Sequence, residues 1–392
     1  MSQSSEPLLL SPLRLRGLTL RNRIVVSPMC TYSASEGLAS DFHFAHLGRF
    51  ALGGAGLVMV EATAVQPEGR ITHGDMGLWN DGQRDALARI ARFIASAGAV
   101  PGIQLAHAGR KASMQRPWFG NGPLNAEDAA RGDLPWPIAG PVAQPHDEGW
   151  LLPNAMSVAD IERLKADFRA GARRARDAGF RVLELHCAHG YLLHSFLSPL
   201  VNRRDDDYGH DMAGRMRLPL EVAQLLREEW PQDLPVFVRI SAVDGIDNGW
   251  SIEDSVVLAR ELKSRGIDVV DCSSGGIGAP ATASLIPRAY GFQVPFAAKV
   301  RREAQIATMA VGLIVDPRQA EQVLADGDAD LVAVARQMLQ DPNWALSAQL
   351  VLKSGAPAVQ RFAAWPEQYG WWLQRRASAM EKMGPWPGDG RK

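Results

Sequence analysis

Leu183-Glu184-Leu185-His186-Cys187-Ala188-His189-Gly190-Tyr191 runs an apolar strand into two imidazoles and a phenol. Valine and leucine character from Arg181 to Leu185, a glycine at 190 and helical spacing from Leu192 to Leu197 read as a strand feeding a helix. The same step recurs along the chain. Apolar runs predict strands at Ile24 to Met29, Leu57 to Val65, Val100 to His107, Arg181 to Leu185, Val236 to Val243, Asp268 to Ser273, Ala307 to Gly312 and Leu331 to Ala335. Each precedes a helical pattern, for example Gln83 to Ser96, Val158 to Ala178, Gly214 to Trp230 and Asn343 to Lys353. Strands that are apolar throughout belong to a parallel sheet covered on both faces. Eight such units fit an α/β fold of the closed (β/α)8 TIM-barrel type better than an open, doubly wound sheet.

The other segments attach to that barrel. Leu13 to Leu20 alternates around Gly17 and predicts an N-terminal hairpin plugging one end. The third βα loop, from Met114 to Pro153, is long, rich in Pro, Gly and Trp, and without a clear helix; a loop of that length reads as a lid or as a surface insertion. The expectation is one domain over residues 1–392, with the barrel at about 24–355 and a C-terminal aromatic tail at 356–392 carrying Trp365, Trp371, Trp372 and Trp386. At 392 residues this is within the range of a barrel with insertions.

Bulk properties remove several functions. A formal net charge of -1 gives no general attraction to nucleic acid or to an anionic membrane surface. No apolar run approaches the roughly 18 residues of a membrane span, and Met1 to Pro7 has neither a basic nor an apolar leader segment, so a cytoplasmic protein is expected. Three cysteines, Cys30, Cys187 and Cys272, fall on different strands with no CxxC spacing, which fits neither a disulfide framework nor an iron–sulfur cluster.

In a barrel of this kind the chemistry sits where strands end. His186 and His189 are spaced to face one side with Tyr191 close behind: two imidazoles can donate N–H groups to one oxygen atom and the phenol can supply a proton, which is equipment for activating a carbonyl. The same pair could instead be two zinc ligands of a metal-dependent hydrolase, which would need partners such as His107 or Asp244. Gly312 after the seventh strand and Ala335-Arg336 after the eighth suit a phosphate site of free N–H groups plus a guanidinium; a surface ion pair is the other reading of Arg336. No GxGxxG follows a first strand and no Walker A sequence occurs, so a phosphorylated cofactor held inside the barrel is the economical choice. Gln104, Arg239 and Cys30 suit the edge of an isoalloxazine, which makes FMN the best-fitting cofactor; Cys30 could equally be a small buried hydrophobe.

Longer motifs carry a resemblance. Arg21-Asn22-Arg23-Ile24, Ser27-Pro28-Met29-Cys30-Thr31-Tyr32, Glu61-Ala62-Thr63-Ala64-Val65, Gln104-Leu105-Ala106-His107-Ala108-Gly109-Arg110-Lys111, His186 to Leu192, Phe196-Leu197-Ser198-Pro199 and Asp207-Tyr208-Gly209 stand together in this chain. On these it resembles the Old Yellow Enzyme family of flavin ene-reductases, in particular the thermophilic-like class with the bacterial xenobiotic reductases. The resemblance implies that Ser27, Pro28, Met29, Cys30, Ala62, Gln104 and Arg239 surround the flavin ring and that Gly312, Ala335 and Arg336 hold its phosphate. It further implies that His186 and His189 bind a substrate carbonyl, that Tyr191 donates the proton, and that Tyr32 and Trp372 line the pocket. NADPH or NADH would reduce tightly bound FMN and leave, and an enone-type substrate would follow on the same face, giving ping-pong kinetics; nitro compounds and nitrate esters are alternative acceptors. A homodimer or higher homo-oligomer is expected. Two departures stand out: Ala335 replaces a usual glycine, and His210-Asp211-Met212-Ala213-Gly214-Arg215 replaces a usual Gly-Ser-x-x-Asn-Arg run at a helix start.

Overall fold

The computed structural model describes residues 6–278, 286–353 and 361–383. An antiparallel hairpin of β1 (Leu13–Leu15) and β2 (Leu18–Leu20) precedes the barrel. The barrel strands are β3 (Ile24–Val26), β4 (Leu57–Ala64), β5 (Val100–Ala106), β8 (Val182–Cys187), β9 (Val236–Ser241), β10 (Val269–Ser273), β11 (Ala307–Ala310) and β12 (Leu331–Val334). All their pairings are parallel, and β12 closes on β3. A minor pair in the third loop, β6 (Ala139–Gly140) and β7 (Asn154–Ala155), lies outside the barrel.

The two-residue period of each strand sorts its side chains into layers. Val236, Val238 and Ile240 of β9, and Leu183, Leu185 and Cys187 of β8, join the core between sheet and helices. The alternate residues face the barrel interior, where Val25, Leu57, Val182, Phe237, Val269 and Leu331 pack with Leu15 and Leu20 of the hairpin. The hairpin is the expected plug. One step along the strands the interior changes character. Gln104 lies beside Glu184 and Arg239 beside Asp271 in the strand registers, and all four are buried. The next step up brings His186, paired in register with Arg239, and Ser273, paired with Ser241. The site therefore stands on a polar layer, which stands on an apolar one.

Local signals place the helices. Capping boxes of Asn80 with Gln83, Ser157 with Asp160 and Ser251 with Asp254 start the helices Asp81–Ser96, Val158–Asp177 and Ile252–Ser264. The unusual run at 210–215 keeps a working cap, since the Asp211 side chain accepts the Gly214 N–H at 2.8 Å at the start of Met212–Glu229.

Three expectations are corrected. The first barrel strand stops at Val26 instead of Met29, because Ser27 gives its N–H to Val334 O and the chain then turns into the site. The third loop contains a short helix, Ala126–Ala130, capped by Asn125, besides 3-10 turns. The C-terminal tail forms a helix, Glu367–Met383, in which only Gly370 is buried and Tyr369, Trp371 and Trp372 are exposed. Its good helix formers outweigh the absence of an apolar face turned to a core. Trp386 lies outside the described residues.

Candidate active site

A cavity of about 1030 Å3 opens at the C-terminal ends of the barrel strands. Ser27, Pro28 and Arg239 form its inner end, Gly312, Ala335 and Arg336 its far end, and Tyr32, His189 and Tyr191 one wall. His146 and Trp150 of the third loop also line it, so that loop covers the cavity as a lid. Of the other expected residues, Met29 packs on the outer core, and Cys30 joins a small apolar cluster with Tyr191. Ala62 shares only a small void with Tyr191. Gln104 is buried and gives its Nε2–H to Glu184 Oε1 at 2.7 Å. Trp372 does not reach the cavity: its residue is 67% exposed, and its ring packs edge-on against Trp371 at 4.5 Å.

The turn after β8 brings three rings together. The centroids of His186 and His189 are 5.1 Å apart, those of His186 and Tyr191 5.1 Å, and those of His189 and Tyr191 6.5 Å. His186 Nδ1 accepts the Ala188 N–H at 3.2 Å, so the ring proton sits on Nε2. His189 Nε2 meets Ser273 Oγ at 2.7 Å, and its backbone N–H reaches Ser241 Oγ at 2.9 Å. Burial first, and the Arg239 charge next, hold both imidazoles well below the ordinary value, so both are neutral. Burial likewise pushes the Tyr191 phenol well above 10, with Cys30 and Asp75 adding to it; the group keeps its proton.

The backbone of that turn is strained and heavily braced. His189 has φ +61°, in the left-handed region that non-glycine residues enter at a cost. Gly190 has φ +74°, and a Cβ there would lie 2.0 Å from Gly276 O, so only glycine fits. The Gly190 N–H is accepted by His194 Nδ1 at 2.8 Å, and His194 Nε2 bonds Asp244 Oδ1 at 2.8 Å. Lys111 Nζ donates to His189 O at 2.9 Å and lies 5.1 Å from the Tyr191 ring. Burial, with Arg110 adding, lowers the Lys111 amine to about 8.

Beneath the rings, Arg239 Nε is 3.0 Å from Asp271 Oδ2 and Nη1 gives a long hydrogen bond of 3.4 Å to Ser27 Oγ. Sequence reasoning did not single out Glu184, Asp271, Lys111, His194 or Gln293. Lys111 belongs to a motif-bearing stretch and His194 to the helical pattern from Leu192 to Leu197, whereas Glu184 and Asp271 are lone acids in apolar strands whose meaning depends on strand register. Gln293 Nε2 donates to Val311 O at 3.1 Å and braces the far end beside Gly312, whose φ is +119°. Among the described residues no three His, Cys, Asp or Glu side chains group as metal ligands.

The sequence and fold match known proteins. Residues 8–354 match the family described as NADH:flavin oxidoreductase / NADH oxidase. The NADPH dehydrogenase of Geobacillus sp. (strain WCH70) is 44% identical over 363 residues, covering 92% of this chain and 99% of that one. The NADPH dehydrogenase of Bacillus subtilis (strain 168) is 41% identical over 360 residues, covering 91% and 99%. Among solved structures, morphinone reductase superposes with a TM-score of 0.71 at 24% identity, over 91% of this chain and 92% of that one. The old yellow enzyme homologue from Zymomonas mobilis gives a TM-score of 0.71 at 22% identity, over 90% and 94%. These last two likenesses concern the fold.

Proposed function

The chain belongs to the NADH:flavin oxidoreductase / NADH oxidase family, and from that premise we propose that it reduces the activated C=C bond of α,β-unsaturated carbonyl compounds. The coarser activity follows from the family: this is an Old Yellow Enzyme-type oxidoreductase that uses FMN, with NAD(P)H as the reductant. When bound, FMN supplies the hydride chemistry. The residues present fit it. The cavity is large enough for a cofactor, Arg239 and Arg336 both line it, and Gly312, whose φ is +119° and whose Cβ position is taken up by Gln293 and Phe292, brings bare backbone to its lining. Ser27, Pro28 and Arg239 would hold the ring, with Met29, Cys30, Ala62 and Gln104 packed behind; Gly312, Ala335 and Arg336 would hold the phosphate.

The observation that carries the reading is the set of three neutral rings gathered at the turn after β8, two imidazoles and a phenol that keeps its proton; His189 and Tyr191 line the cavity, and His186 lies buried beside them. His186 Nε2–H, with His189 beside it, orients and polarises a carbonyl oxygen without carrying a charge. If Ser273 gives its hydroxyl proton to His189 Nε2, the ring proton sits on Nδ1 and supplies the second donor. Tyr191 then delivers its phenolic proton to the α-carbon, and its high pKa keeps it loaded across the working pH range. His146 and Trp150 of the third loop line the cavity and would limit the access of water to it. Tyr32 lines the same space; Trp372 would enter a pocket only from a second copy of the chain.

Anaerobic reduction of the purified holoenzyme by NADPH and NADH, followed by mixing with 2-cyclohexenone or cyclohexanone, tests the proposal. The unsaturated ketone should reoxidise the flavin and the saturated one should not. Equal reoxidation by both, or release of FAD in place of FMN, overturns it.

A further inference from the structure

A second cavity of about 550 Å3 lies between the turn Pro67–Gly69 and the third loop, and the reaction uses none of its walls. His107, at the end of β5, is 3% exposed. Its Nδ1 accepts the Gly109 N–H at 3.0 Å, so the ring proton sits on Nε2, which has no hydrogen-bond partner among the described residues. Gly69 makes room for the ring, since a Cβ there would lie 2.7 Å from His107 Cδ2. Burial lowers the His107 imidazole to about 4, which leaves a neutral donor.

Arg70, on the same cavity, is 8% exposed. Its guanidinium lies 5.2 Å from the Trp136 ring and 5.5 Å from the Trp79 ring, and its Nε–H is fixed on Pro67 O at 3.0 Å. Nη1 is buried without a hydrogen bond. The nearest carboxylate, Glu36, stands 3.9 Å away on a side chain that is 80% exposed, so water screens it. The acids at the cavity edge do not answer these donors. Asp160 is taken up by the Ser157 cap and by Arg163, and Glu68 is exposed. Pro137, Ile138 and Met156 complete an apolar wall beside Trp136. The Arg70 charge also acts on buried Asp75, yet Arg70 Nη1 and His107 Nε2 make no hydrogen bond among the described residues, and the group that would take up both donors is an anion with several acceptor oxygens.

We propose that this cavity binds a small carboxylate with an apolar, ring-sized body, the carboxylate taken by Arg70 and His107 and the body lying against Trp136. Its volume is in the range of small-molecule sites. The site is separate from the catalytic cavity yet shares a packing cluster with it, because Trp136 and Ile138 pack with Ile71 and Tyr191. The proposal rests on the fold and holds whatever the electron acceptor.

Calorimetric titration of the holoenzyme with benzoate, and with benzamide as the uncharged isostere, tests it beside a visible titration of the flavin. Benzoate should bind while leaving the flavin spectrum unchanged, and benzamide should bind at least about tenfold more weakly. Ala139→Phe fills the cavity without touching Arg70 or His107, and Arg70→Met removes the charge; each should weaken benzoate by at least about tenfold at wild-type flavin content. Should Arg70→Met fail to fold, Ala139→Phe decides alone, and should both fail, the benzoate and benzamide comparison on the unmodified protein decides. Heat and flavin perturbation that saturate together, benzamide equal to benzoate, or wild-type affinity in folded Ala139→Phe would each overturn the proposal.

Discussion

Asp244→Asn tests how the strained turn at His189 and Gly190 is held. The Asp244 carboxylate is fully buried and accepts from His194 Nε2 at 2.8 Å, Ser198 Oγ at 2.6 Å and the Trp250 N–H at 2.8 Å. It thereby fixes the proton on His194 Nε2 and leaves Nδ1 free to accept the Gly190 N–H at 2.8 Å. An amide has one acceptor oxygen where the carboxylate had two, so at least one of the three donors meets an N–H. Losing a buried hydrogen bond to a charged carboxylate costs about 1.5–3 kcal/mol. Unfolding entropy of about 2.1 cal/mol/K per residue over 392 residues is about 0.8 kcal/mol/K, so the melting temperature should fall by about 2–4 °C. The acid limb should change as well. Burial raises the Asp244 carboxyl, but the His194 hydrogen bond and charge and the Ser198 hydroxyl outweigh it and leave the group below its ordinary value. A depressed carboxyl contributes stability above its unfolded pKa of about 3.9 and loses it as pH falls through the folded value, so the variant should lack that acid-dependent increment. A displacement of Tyr191 by about 1 Å should slow enone reduction by roughly 10²-fold. Differential scanning calorimetry across pH and stopped-flow reoxidation by 2-cyclohexenone measure both. A melting temperature within about 1 °C of wild type, together with an unchanged rate, would refute the positioning argument.

Three further outcomes are expected. Tyr191→Phe should leave flavin reduction by NADPH intact and slow enone-driven reoxidation by roughly 10²-fold or more, and an unchanged reoxidation rate in stopped flow would move the proton source elsewhere. Cys30→Ala should retain FMN and shift its reduction potential, because burial, with Asp75 and Glu61 adding, keeps Cys30 a neutral thiol beside the ring site; a redox titration superimposable on wild type would make it a packing residue only. Lys111 is lowered to about 8 in the folded chain, against about 10.4 when unfolded, so between these values the unfolded state holds the extra proton and stability rises with pH. Lys111→Met should abolish that rise in melting temperature between about pH 8 and 10, and its persistence would assign the titration to another group.

The barrel was legible because its signal is redundant: eight apolar runs, each followed by a helical pattern, tolerate errors of several residues at any end. The strand ends were legible for the same reason, since the fold makes them the site, and Tyr32, His189, Tyr191, Arg239, Gly312 and Arg336 meet on one cavity. What escaped depends on register or on packing between distant segments. Glu184 reads as one acid in a leucine strand until Gln104 is set beside it, and Asp271 as one acid among valines until Arg239 is. The second cavity joins the end of β5, the turn at 67–69 and the far part of a forty-residue loop, none of which advertises the others. Trp372 is exposed and does not line this chain's own cavity, because a ring that needs covering does not say which surface covers it.

The polar layer under the rings accounts for how the proposed site would work with uncharged donors. Glu184 and Asp271 are both fully buried; Arg239 pairs with Asp271, and its charge reaches Glu184. Burial, together with the opposing Asp271 charge, raises the Glu184 carboxyl, and burial raises Asp271 against the pull of Arg239. Glu184 Oε2 and Asp271 Oδ1 lack hydrogen-bond partners, so a second negative charge there would be poorly compensated. With the Glu184 carboxyl raised to about 8 and so protonated near neutral pH, the Arg239 guanidinium faces the Asp271 carboxyl, which brings the layer towards neutrality. Arg239 can then serve the face above it without importing a net charge. That same positive charge, added to burial, keeps His186 and His189 from taking up protons. Negative charge that develops in the cavity is met by fixed dipoles and one guanidinium already in place, none of which must change protonation near neutral pH.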